Sequence, residues 1–179
     1  MNPAFVPALA VVPTQRAAVL AGLAAPLALV VGALAPAAWL VAPALGLALL
    51  ALVVADAMLA GRVADLRVIV PRDGEVGEPV RLVVLAELDR PGGAEAALAC
   101  DPRLAPGGRL ALPLAPADGA WQGSATLVPN RRGRAPLTRL WLRWTGPLGL
   151  GARQHSRTLE LAVAIWPSLA ATRSPALQL

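Results

Sequence analysis

The 179-residue chain predicts a transmembrane α-helical hairpin followed by an all-β, antiparallel sandwich. Three features predict it. Residues 17–60 form an apolar run of forty-four residues in which only Asp56 can carry a charge. Beyond Gly61 apolar and polar residues alternate, the mark of a strand with one face buried. Turn-forming Gly, Pro, Asp and Asn then recur about every 8 to 15 residues, and the crossover helices that a parallel sheet needs are missing.

A spanning helix takes roughly 20 apolar residues to cross about 30 Å of hydrocarbon, so the run reads as two crossings, about 17–35 and 38–60. The break falls at Ala35-Pro36-Ala37, because proline cannot donate the bond a continuing helix needs, and Trp39 suits the headgroup layer. Pro26 and Pro43 lie inside the two helices and are expected to kink them, which membrane helices tolerate. Gly22 and Gly46 permit close backbone approach. Asp56 is expected near the cytoplasmic interface, where an ionised carboxylate costs little; proton or ion movement is the alternative role. Arg16 precedes the hairpin, Arg62 and Arg67 follow it, and the turn between has no basic residue, so the positive-inside bias puts both ends in the cytoplasm. Two other readings compete. One is a cleaved secretory signal ending at Ala33-Leu34-Ala35, although a second apolar run, 40–59, follows at once. The other is a buried helical pair, which needs an apolar partner surface that the strands do not offer.

Residues 1–16 are a proline-spaced lead-in, expected to be disordered or interfacial. The sandwich occupies 61–167 and a tail or truncated linker 168–179. A first strand, 63–70, ends at the turn Pro71-Arg72-Asp73-Gly74. In 80–88, Val80, Leu82, Val84, Ala86 and Leu88 face the core while Arg81 and Glu87 face water. A short strand, 95–100, follows the turn at Arg90-Pro91-Gly92-Gly93, and 101–108 is loop. An edge strand is expected at 109–114 and a better one at 120–128. In 136–144 the core face is Thr138, Leu140, Leu142 and Trp144, with arginine stems covering Trp141 outside. The last strand, 158–166, turns Leu159, Leu161, Val163 and Ile165 inward.

Composition narrows the function classes. All sixteen basic residues are arginine, Tyr is absent, and Ala, Leu, Gly and Pro abound, a bias typical of GC-rich coding; the net charge of +5 is therefore discounted as a binding signal. Nucleic acid is not expected as a partner, because the arginines are dispersed and no aromatic stacking motif accompanies them. The lipid bilayer is. The single cysteine, Cys100, excludes an internal disulfide and a cysteine-based zinc site, and reads as a small buried apolar residue.

Two motifs flank the 136–144 strand. Pro129-Asn130-Arg131-Arg132-Gly133-Arg134 reads as a hairpin turn, with Gly133 free to take positive φ and Arg131 and Arg132 lifted on its tip. Gly146-Pro147-Leu148-Gly149-Leu150 reads as a tight turn built on Gly146, Pro147 and Gly149. Neither is a phosphate loop, since no helix follows. Behind a two-helix hairpin and ahead of Val163-Ala164-Ile165-Trp166-Pro167, this pair resembles the bacterial membrane proteins grouped as family fifty-eight of the domains of unknown function. In that family an Arg-Arg-Gly turn and a Gly-Pro-Leu-Gly-Leu or Asp-Pro-Phe-Gly-Leu turn bracket a strand of an immunoglobulin-like sandwich. Trp166-Pro167 stands where Tyr-Pro is usual. With the hairpin and the positive-inside bias, the expected place is the bacterial inner (plasma) membrane, multi-pass, with the soluble domain cytoplasmic; the resemblance adds partnership with a MoxR-type AAA+ ATPase in assembly or maturation of envelope or metal-containing complexes. Family members continue into a von Willebrand factor A-like region that these residues do not include; that region is expected to be encoded separately, or the chain to be a truncated form.

Side-chain chemistry is thinly provided. His155 is the sole histidine, and its neighbour Ser156 faces the opposite way on a strand, so the two make no nucleophile and base pair. Asp73, Glu75 and Glu78 lack a calcium-loop spacing. No P-loop, dinucleotide fingerprint or zinc-binding histidine set occurs, so no cofactor, metal or catalytic residue is expected. The favoured function is a non-enzymatic, membrane-anchored interaction module that presents Arg131, Arg132 and Gly133 to a protein partner. The alternatives are a membrane enzyme or transport subunit using Asp56, and a non-functional truncated fragment.

Overall fold

The computed structural model describes residues 10–35, 37 and 40–168. Pro36 and Trp39, where the sequence places the break between the helices, lie outside the described residues, as does the tail beyond Ser168. The chain forms two compact units. The first draws on the chain up to Ala64, on Leu88–Ala94 and on Leu142–His155; the second on Asp65–Glu87, on Glu95–Trp141 and on the chain from Ser156.

In the first unit, helices α1 (Gln15–Leu34) and α2 (Val41–Leu59) pack against each other. Each is long and apolar enough to cross a membrane. Their buried residues are few: Ala17 in α1, and Val53, Asp56 and Ala57 in α2. All lie where α1 begins and α2 stops, so the other described residues do not enclose the pair. Thr14 caps α1, its hydroxyl accepting from the Ala17 N–H at 3.4 Å. Pro26 stands inside α1 as expected. Pro43 instead is the third residue of α2, within the first turn, where a missing N–H costs no helical bond; it starts the helix rather than kinking it. Gly61, at φ +71°, ends α2.

The lead-in differs from expectation. Ala10–Pro13 form strand β1, antiparallel to the start of β9 (Gly151–Trp166), with Ala10 opposite Gln154 and Pro13 opposite Gly151. Those backbone groups thereby gain ladder partners that a loose segment would have sought in water.

The second unit carries the rest of the strands: β2 (Val63–Ile69), β3 (Asp73–Glu75), β4 (Val80–Leu88), β5 (Gly93–Cys100), β6 (Arg109–Ala117), β7 (Ala120–Leu127) and β8 (Gly133–Thr145). Several of them begin or end in the first unit. The strand order is β9-β8-β5-β6-β7-β4-β2, with β3 off this path beside β9. Pairing is antiparallel in β4–β7 and β6–β7. It is parallel in β3–β9, so Asp73 and Gly74, expected in a turn, contribute to a short strand.

Alternation explains most of the core. Val80, Leu82, Val84 and Ala86 of β4 are buried, while Arg81 and Glu87 are exposed. Leu98, Leu112, Leu114, Val163 and Ile165 join the buried set, and Leu159 and Leu161 are half-buried. Each fully buried Leu or Val stabilises the fold by about 1.5–3 kcal/mol relative to exposure. Two strands depart from the pattern. In β8, Ala135 and Leu137 are buried, Thr138 and Arg139 are both exposed, and burial resumes at Leu140, Leu142 and Trp144. Two successive outward residues shift the alternation by one, so Leu137 lies inside and Thr138 outside, the reverse of expectation. Outside, Arg139 and Arg109 lie 5.8 and 5.7 Å from the Trp141 ring centroid. Strand β6 is no edge strand, for it has β5 and β7 as neighbours. Its prolines, 113 and 116, are three residues apart, so in a regular strand their missing N–H groups point to opposite sides and each neighbour forgoes one bond. Asp118 and Gly119, at φ +48° and +81°, close the two-residue β6–β7 hairpin.

Candidate functional site: the turns before and after β8

After Thr145 the chain leaves β8 and turns. The Gly149 N–H donates to the Gly146 carbonyl at 3.0 Å, closing a four-residue turn with Pro147 and Leu148 at its corners, and Gly149 takes φ +68°. The Gly146 N–H donates to the Gly151 carbonyl at 2.9 Å, which starts β9.

Both helices of the first unit hold this turn. The Asp56 carboxylate is fully buried and accepts from three backbone amides: Leu148 N–H at 2.8 Å on Oδ1, and Leu150 and Gly151 N–H at 2.7 and 2.9 Å on Oδ2. From α1, the Thr14 hydroxyl donates to the Gly149 carbonyl at 2.6 Å, and the Thr14 N–H to the Leu150 carbonyl at 3.0 Å. Leu150 packs with Ala17 and Val53, and Leu49 lies against that cluster. Glycine is required at two of the contacts. A Cβ at Gly146 would overlap Asp56, and one at Gly151 would overlap the Val53 carbonyl and Ala57. Nearby, Arg153 donates through Nη1 to the Gly61 carbonyl at 2.6 Å, and Asp89 accepts from the Arg62 N–H at 3.2 Å.

Asp56 is therefore not the solvated interfacial carboxylate expected from sequence. It is an acceptor fastened to a turn ninety or more residues later, with no exposed surface. The sequence singled out Gly146, Pro147 and Gly149 but not Thr14, Gly151 or the partnership with Asp56. One signal was available: a lone carboxylate in an apolar helix must find donors, and a glycine-rich turn has amides to spare.

The turn before β8 is built differently. Arg131, Arg132 and Gly133 are exposed, Gly133 at φ +127°, and neither guanidinium has a partner among the described residues. Support comes from the loop at 101–105: the Asn130 N–H donates to the Arg103 carbonyl at 3.0 Å, and Arg103 Nη1 donates to the Arg134 carbonyl at 3.0 Å. The segment is not a hairpin turn, because β7 lies between β6 and β4, whereas β8 lies between β9 and β5. It carries the chain from one pair of neighbours to another.

The remaining titratable groups gather less. Asp73 accepts from the Trp166 indole N–H at 3.2 Å. His155 lies in β9, half-buried, beside exposed Ser156. Among the described residues no group of three or more His, Cys, Asp or Glu is placed to hold a metal. Cys100 is buried, and burial, then the nearby charge of Asp101, push its thiol above the usual range.

No family model and no curated protein matches this sequence. Among solved structures, the CARDB domain of a Pyrococcus furiosus protein, crystallised in complex with di-metal ions, is similar at 9% identity and TM-score 0.40, covering 62% of this chain and 97% of that one. The metal ions are that protein's, and no residue role passes from it to this chain.

Proposed function

We propose that this chain is a non-enzymatic, membrane-anchored interaction module of the family fifty-eight kind, its two helices crossing the bacterial inner membrane as a hairpin and its strands forming an immunoglobulin-like sandwich on the cytoplasmic side. One observation carries the proposal: the helices are apolar on every side and unenclosed, with Leu23 66%, Leu29 76% and Leu47 68% exposed. In water such a surface associates or aggregates, whereas hydrocarbon suits it. The cleaved-signal alternative is disfavoured because β1 and Thr14, ahead of α1, and Ala17 within it all bond or pack with residues 149–154.

The exposed Arg131 and Arg132 suit an acidic protein surface, since neither has a partner among the described residues. By the family resemblance, that surface belongs to a MoxR-type AAA+ ATPase, with a separately encoded von Willebrand A-like region as a further partner. The transport alternative needs an available Asp56. Its three amide bonds favour a fastening role instead.

The test is fractionation followed by capture. The tagged chain should enter the membrane fraction, with a carboxyl-terminal tag unreachable from outside intact cells, and should retain the ATPase. Arg131→Ala with Arg132→Ala should abolish capture, while Asp56→Asn, once shown to reach the membrane intact, should not. Recovery in the detergent-free supernatant would sink the anchoring, and capture insensitive to the arginine pair would sink the assigned surface.

A further inference from the structure

The depth at which the 146–150 turn meets the helices has a consequence for lipid. Helix α2 has 19 residues, about 28 Å at 1.5 Å per residue, close to the hydrocarbon thickness of a bilayer. Asp56 is three residues short of its end, about 4.5 Å inside it. The turn therefore docks alongside the apolar length of α2, at Val53, Asp56 and Ala57, rather than beyond it. On α1 it docks at the first residues, Thr14 and Ala17.

Most of the turn faces inward, but its tip does not. Leu148 uses its backbone N–H on Asp56 and leaves its side chain 52% exposed, and Pro147 beside it is exposed. At the end of α2, Met58 and Leu59 are exposed as well. Arg16, also exposed, lies against the same turn: a Cβ at Gly149 would come within 3.0 Å of its Nη1. A leucine with an arginine beside it matches the boundary between acyl chains and phosphates, where the apolar group enters and the guanidinium stays at the headgroups.

We infer that the Pro147-Leu148 tip is a third lipid contact of this protein, with Leu148 inserted at the acyl–headgroup boundary and Arg16 placed to meet lipid phosphate. This rests on the proposed membrane hairpin. It gives the Asp56 clamp a second purpose, to hold a loop of the strand region at interfacial depth.

The experiment places an environment-sensitive fluorophore on single cysteines in a Cys100→Ala background of the full chain, reconstituted in vesicles of phosphatidylcholine and phosphatidylglycerol. The labelled sites are Leu148→Cys, Leu29→Cys in α1 and Arg131→Cys. Because Asp56 binds the backbone of residue 148, that substitution leaves the bond in place. The label at 148 should be blue-shifted and quenched by headgroup-proximal nitroxide lipids at least about twofold more than the label at 131, while the label at 29 is quenched best by nitroxides deep in the acyl chains. Emission at 148 matching that at 131, with 29 still deeply quenched, overturns this inference and leaves the hairpin standing. A label at 29 that no lipid quenches overturns the hairpin itself. Arg16→Gln should reduce the quenching at 148 both in vesicles of phosphatidylcholine alone, whose headgroup also carries a phosphate, and in the anionic vesicles; unchanged quenching in both would remove the phosphate contact.

Discussion

Before β8 the chain passes through Arg131, Arg132 and Gly133 with both guanidinium groups in the open; after it, the chain turns through Gly146, Pro147 and Gly149 with its amides and carbonyls taken up by two helices. The two turns are short, glycine-containing and equally conspicuous as text. They differ in where their polar groups are satisfied. The second is consumed by the fold, since Asp56 and Thr14 between them bind five backbone groups from Leu148 to Gly151. The first leaves both guanidinium groups without a partner among the described residues.

The contrast breaks most readily at Asp56. Asp56→Ala removes the acceptor of three amides, each costing about 1–3 kcal/mol if left buried and unsatisfied, so a loss of about 3 kcal/mol or more is expected, read as earlier melting in detergent and faster proteolysis near 146–151. Unchanged melting would show that the carboxylate does not fasten the turn. Gly151→Ala comes next: its Cβ meets the Val53 carbonyl and Ala57, and overpacking of this kind costs about 1–3 kcal/mol. Thr14→Ala, losing the cap and the donor to Gly149, should cost about 1–2 kcal/mol, with Thr14→Ser recovering most of it.

Cys100 reports on the other side of the comparison, because its strand leads into the loop that supports Asn130. Its folded thiol is raised, so the stability it contributes is present at neutral pH and lost as pH climbs through the folded value. Alkaline destabilisation should be smaller in Cys100→Ala, and alkylation of the native thiol near neutral pH slower than in the unfolded chain; equal rates would contradict the burial. Smallest of all should be the effect of replacing Arg131 and Arg132 with Ala on stability, within about 0.5 kcal/mol. A larger loss would mean that the arginines serve the fold after all.

How much was legible follows from which interactions are local. Helices α1 and α2 and the buried faces of β4 and β9 could be read because continuous or alternating hydrophobicity is written in neighbouring residues. The shift at Thr138-Arg139 could not, since both phases of β8 offer apolar residues and the choice depends on what the strand packs against. Strand β1 is not legible for a related reason: four residues ending on a proline carry little pattern, and their partner lies some 140 positions away. Asp56 stands out in the sequence, but its surroundings do not. A solitary charge announces that a donor must exist without saying where in the chain it is.

The β1–β9 pairing also fixes an order of events. Ala10 leaves the ribosome well before its partner Gln154, which is translated only after both apolar segments and most of the strands. Strand β1 must wait, unpaired, until residues 151–154 have been made, and Thr14 and Asp56 likewise wait for their turn. Closure of this base is a late step, made slow by the length of chain it spans.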